Sequence, residues 1–172
     1  VLSILFCKAL KVVKNLYKKY LKNAYIRAIA GGILVILMTL LIGSRDYLGT
    51  GMNIIIKALN GEVVPYAFLA KMIFTVITIT AGYKGGEIVP SFFIGATFGC
   101  VFGQLVGLPP EFTASLGMIG VFCGVTNCPI ASLLIGFELF GYHNPYYILV
   151  MIAVSYMLSG KYSLYHTQII TN

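Results

Sequence analysis

The residues best placed to do chemistry are Gly85-Gly86-Glu87-Ile88-Val89-Pro90, a polar turn immediately before an apolar run from Ile88 to Leu108. That run approaches the roughly 20 residues, at about 1.5 Å each, that a helix needs to cross the hydrocarbon of a bilayer. Glu87 therefore stands where a membrane helix begins. The first amides of a helix have no intrahelical acceptor and carry the positive end of its dipole, so such a start is a place to hold an anion. Gly85 and Gly86 let backbone approach a ligand with no Cβ in the way, and Pro90 suits a first turn in which its missing N–H is not needed. The chemistry implied is non-covalent: an anion held by aimed backbone donors, with one carboxyl group beside it.

The elements that position this turn are membrane elements. Of the 172 residues, 59% are hydrophobic and 10% charged, and the mean hydropathy is +0.91, whereas about a quarter of the residues in a soluble domain are charged. Apolar stretches run from Ala28 to Gly43, Val63 to Tyr83, Ile88 to Leu108, Phe112 to Leu139 with an interruption, and Pro145 to Ser159. Their unequal lengths and their glycines predict broken or half-length helices around a buried site instead of a uniform bundle. Asn127-Cys128-Pro129 is the expected break inside the fourth stretch, since a helix facing lipid has no partner for the groups such a break exposes. Asn60-Gly61-Glu62 and Leu108-Pro109-Pro110-Glu111 read as connections, and Gly43 to Gly51, with Arg45 and Asp46, as an interfacial turn.

The net charge of +7 comes largely from one segment, Lys8, Lys11, Lys14, Lys18, Lys19, Lys22 and Arg27. Residues 1–23 are therefore expected to form a basic amphipathic lead-in on the cytoplasmic face, with anionic lipid as its partner and no nucleic acid involved. Val1 lies in mid-hydrophobic sequence, which reads as a truncated beginning. Cys7, Cys100, Cys123 and Cys128 lack metal or redox spacing and are expected to be free thiols, while His143 and His166 are too isolated to ligate a metal. No cofactor is implied. With no nucleophile beside a positioned base, no carboxylate pair and no metal cluster, the sequence does not read as an enzyme. Lys71 is expected to snorkel from a helix end, the alternative being a lysine deep in the bundle with a functional role, and Gly95, Gly99, Gly103 and Gly107 are expected to form a stripe for close helix packing.

Gly82-Tyr83-Lys84-Gly85-Gly86-Glu87-Ile88-Val89-Pro90, followed by Ser91-Phe92-Phe93-Ile94-Gly95-Ala96 and Gly99, resembles the third ion-binding motif of the CLC family of chloride channels and proton-coupled halide antiporters. Gly117 to Ile135, with Glu138 beyond it, resembles that family's next helices, and Gly160 to Tyr165 its terminal helix. The resemblance runs from about Ala24 onward. It implies an all-α integral membrane fold of CLC type, with broken and tilted helices, in which residues 24–172 form the C-terminal half of an inverted repeat. It also implies an anion site at Gly86, Glu87, Ile88, Val89 and Pro90, where the amides of Glu87 and Ile88 face an ion met from the other side by the Tyr165 hydroxyl. The family's serine-bearing motif and gating glutamate have no counterpart in these residues.

Glu87 in this motif resembles the bacterial fluoride/proton antiporter branch. Burial would favour its neutral acid, which can donate a hydrogen bond to a small basic anion; the alternative is a glutamate that caps the helix. The expectation is thus part of a multi-pass transporter of a cell inner membrane, exchanging halide, with fluoride favoured, for protons, and a homodimer when full length. Chloride handling as antiporter or channel is the alternative within transport, and a non-transporting membrane assembly half the alternative of another class.

Overall fold

In a computed structural model, residues 1–21, 23–141, 145–160 and 164 are described. Among them eight α-helices follow one another: α1 (Leu2–Tyr20), α2 (Ala24–Ile42), α3 (Met52–Leu59), α4 (Ala67–Ala81), α5 (Ile88–Val106), α6 (Pro110–Thr126), α7 (Pro129–Phe140) and α8 (Pro145–Ser159). Two of these, α2 and α5, are long and apolar enough to cross a membrane. Three more apolar helices, α4, α7 and α8, are shorter, in line with the unequal runs in the sequence.

The centre of the molecule is the α5–α6 pair, the most extensively packed in the structure; α4 and α3 lie against α5, and α8, α1 and α7 against α6. Glycine makes that centre possible. A Cβ placed on Gly95 would lie 2.5 Å from the Gly117 carbonyl oxygen and 2.8 Å from Met118 Cα, and one on Gly99 would meet the Thr113 carbonyl oxygen. The two backbones therefore touch, as small residues allow in membrane helices. Gly107 does not belong to the stripe: it ends α5 with φ +76° and meets no neighbouring atom.

Around this pair one apolar cluster holds Tyr47, Ile55, Phe74 and Phe93, a second Phe6, Cys7, Leu10, Ile94 and Val125, and a third Ile119, Cys123, Ile148 and Ile152. The basic lead-in thus contributes core: α1 buries Phe6, Cys7 and Leu10 and packs on α4 and α6. By contrast α2 buries only Gly31, and Ile29, Ile33, Ile36, Leu37, Leu40 and Leu41 are exposed along it. The four cysteines are free, Cys128 half-buried and the others buried.

The break after α6 is sharp. Asn127 is the sole non-glycine residue with positive φ among those described, at +57°, and Pro129 starts α7 two residues later. Lys71 departs from the sequence expectation. It does not snorkel: it is 2% exposed, and its Nζ donates to the carbonyl oxygens of Gly49 (2.6 Å) and Tyr47 (3.1 Å). In linear sequence those acceptors are distant, so only the fold reveals them.

Candidate functional site

The polar turn lies between α4 and α5. Gly82 closes α4 in the left-handed region, φ +104°, with its N–H donating to the Ile79 carbonyl. The side chain of Arg27, from the first turn of α2, donates its Nε–H to the carbonyl oxygen of Ala81 at 3.2 Å, and the Tyr83 hydroxyl donates back to the Ala28 carbonyl at 2.9 Å. These reciprocal bonds fasten the turn to α2. Replacing Arg27 by leucine is expected to lower stability by about 1.5–3 kcal/mol, the range for a hydrogen bond from a charged group, read as a lower melting temperature in detergent.

At the other end of the turn, the backbone N–H of Ser91 donates to the Glu87 carbonyl at 3.2 Å. The amides of Ile88 and Val89 precede that bond and have no acceptor within the helix, and Pro90 has no N–H to leave over. Glu87 is the N-cap residue, yet its carboxyl group makes no capping hydrogen bond to the helix. The helix start is therefore not closed off by its own glutamate side chain.

Residues of the turn line two cavities. Gly85, Gly86, Val89 and Pro90 line one of about 610 Å³, whose wall also includes Tyr47, Lys71 and Thr78. Glu87 lines the other, of about 200 Å³, together with Lys11, Lys14, Lys18, Arg27 and Leu164. Four basic side chains thus line the cavity on the carboxyl side, and the basic helix α1 forms part of its wall. Lysines at positions 11, 14 and 18 share one face of a helix; that spacing was visible in the sequence, but the wall they join was not.

Of the expected site residues, the structure brings Gly86, Glu87, Ile88, Val89 and Pro90 together at the α5 start, with Glu87 half-buried and Pro90 buried. Tyr165 lies outside the described residues, as do His143 and His166. Leu164 is described: its N–H donates to the Val125 carbonyl at 3.0 Å, and it shares the cavity of Glu87.

The family profile described as voltage gated chloride channel matches residues 1–160. This chain belongs to the CLC family. The match begins at residue 1 and so includes the basic helix, which the resemblance read from sequence had left out. A solved CLC-type fluoride/proton antiporter has the same fold, with a TM-score of 0.92 and 34% identity over 96% of this chain and 42% of that one. The chloride/fluoride channel protein of Pseudomonas syringae is 33% identical, matching 96% of this chain and 38% of its own length. The H(+)/Cl(-) exchange transporter of Vibrio vulnificus is 26% identical over 90% of this chain and 35% of its own length. The chain thus spans less than half the length of these CLC relatives. Its all-helical architecture is that of an integral membrane protein of the CLC type.

Proposed function

We propose that this chain supplies the C-terminal half of the membrane domain of a CLC-type secondary transporter that exchanges halide, with fluoride favoured, for protons across a bacterial inner membrane. The observation that carries this reading is the position of the Gly85–Pro90 turn, a helix start that its own glutamate side chain does not cap and whose residues line two cavities. An anion there meets the amides of Glu87 and Ile88, flanked by Gly86, Val89 and Pro90, and the Tyr165 hydroxyl completes the site. Neutral donors of this kind hold an ion and still release it, as turnover requires.

Fluoride is favoured because Glu87 places a carboxyl group beside the anion. When protonated it donates a hydrogen bond to a small, basic ion instead of repelling it. The printed names of the Pseudomonas relative and of the solved antiporter both include fluoride, which supports this choice. The Vibrio relative, named for chloride exchange, favours chloride as the second reading. In the full-length protein we place two copies together, with α1 facing anionic lipid on the cytoplasmic side.

The test is anion efflux from liposomes containing the full-length protein, loaded with fluoride or chloride. Fluoride efflux is expected to exceed chloride efflux by at least about tenfold, which corresponds to about 1.4 kcal/mol of discrimination, and Glu87→Gln to remove most of that preference. Equal rates for the two ions in the wild type would end the fluoride assignment, and no efflux of either would favour a non-transporting assembly.

A further inference from the structure

Lys71 is the one buried charged residue among the described residues. It projects from the second turn of α4, where its Nζ bonds two backbone carbonyls of the segment after α2 and lies 5.1 Å from the centroid of the Phe93 ring. A neutral donor would suffice to hold those carbonyls, and an ammonium is the costlier group to bury. The carbonyls and the ring lessen that cost, but none of them cancels the charge. No carboxylate is among these partners. Asp46, next to Tyr47 in the chain, is exposed, and its carboxylate accepts a hydrogen bond from Ser44 Oγ.

The wall of the 610 Å³ cavity contains both Lys71 and the Gly85, Gly86, Val89 and Pro90 surface. Phe93, beside the ammonium, is three residues beyond Pro90 on α5, a distance of about 4.5 Å along a helix axis. The positive charge is therefore fixed near the start of α5. We propose that Lys71 sets the affinity for an anion at the α5 start through its charge, acting as a positioning residue that does not itself touch the ion. The two carbonyls hold its ammonium back from direct contact, which keeps the attraction long-ranged and the anion releasable. This proposal rests on the reading in which the α5 start receives the anion.

At an effective permittivity of about 20, unit charges about 10 Å apart attract enough to change affinity on the order of tenfold. Fluoride and chloride binding to the full-length protein in detergent, measured by titration calorimetry at fixed pH and ionic strength, tests the charge against the hydrogen bonds. Lys71→Gln keeps a donor for the carbonyls and is expected to weaken anion binding about tenfold, while Lys71→Arg stays within about threefold of wild type. A folded Lys71→Gln protein with wild-type affinity, or equal losses in Gln and Arg, would overturn the role of the charge. Should Lys71→Gln fail to fold, Thr78→Lys in the otherwise unchanged chain adds a cation to the same cavity; severalfold tighter binding is expected, and unchanged or weaker binding overturns the proposal. A wild-type protein that binds neither halide would instead overturn the anion reading on which it rests.

Discussion

Full-length protein carrying Gly117→Leu is expected to yield no folded material. A Cβ on Gly117 meets the Gly95 carbonyl oxygen and lies 2.9 Å from Gly99 Cα, so the obstacle is backbone on both counts and no rotamer relieves it. Overpacking a core costs about 1–3 kcal/mol where side chains can yield; here two central helices would have to separate, which exposes the interface that organises the other elements. The loss is then comparable to a total stability of about 5–15 kcal/mol. Gly117→Ala introduces the same Cβ against the same backbone and is expected to cost more than about 3 kcal/mol, beyond the usual overpacking range. Gly107→Asn is the contrasting variant: its site is left-handed and open, and asparagine tolerates that conformation. Size-exclusion profiles and melting temperatures in detergent check all three, and a monodisperse Gly117→Leu protein melting near the wild-type temperature would refute the account.

Asn127→Val is expected to be the next most damaging change. Asn127 is buried and left-handed at φ +57°; its side-chain amide donates to the Gly160 carbonyl at 3.4 Å, and its Oδ1 accepts from Ser159 Oγ at 3.3 Å. A β-branched residue there is opposed by about 1–2 kcal/mol of backbone strain, and the lost hydrogen bonds add about 1–3 kcal/mol. The total is about 3 kcal/mol. Asn127→Gly keeps the backbone comfortable and loses only the side-chain bonds, so it is expected to cost about 1–2 kcal/mol less than Asn127→Val, the backbone-strain part of that loss. Denaturant unfolding in detergent separates the two effects. Equal losses in both variants would show that handedness plays no part.

That break was legible because proline and asparagine each carry a local signal: proline cannot continue the hydrogen bonding of a preceding helix, and asparagine is the non-glycine residue best suited to φ > 0. The α5 start was legible for a similar reason, with glycines, an acid and a proline concentrated before an apolar run. Helix α3 was not, since its eight residues are too few to establish a period beside longer apolar stretches. The burial of α1 was obscured by its lysines: charge dominated the segment, although Phe6, Cys7 and Leu10 fall on one face and reach the core. Lys71 was misplaced because its acceptors lie 22 and 24 residues away in sequence. Hydropathy places a lone lysine by the length of the run around it and carries no information on carbonyls brought from elsewhere.

With carbonyl oxygens and α-carbons of α5 and α6 already at contact across their glycines, the two helices have no slack through which to slide or rotate independently. They must travel as one rigid strut. Movement within this half of the molecule is then left to the elements packed around that strut, with the glycine-rich start of α5 carried on it as a fixed point.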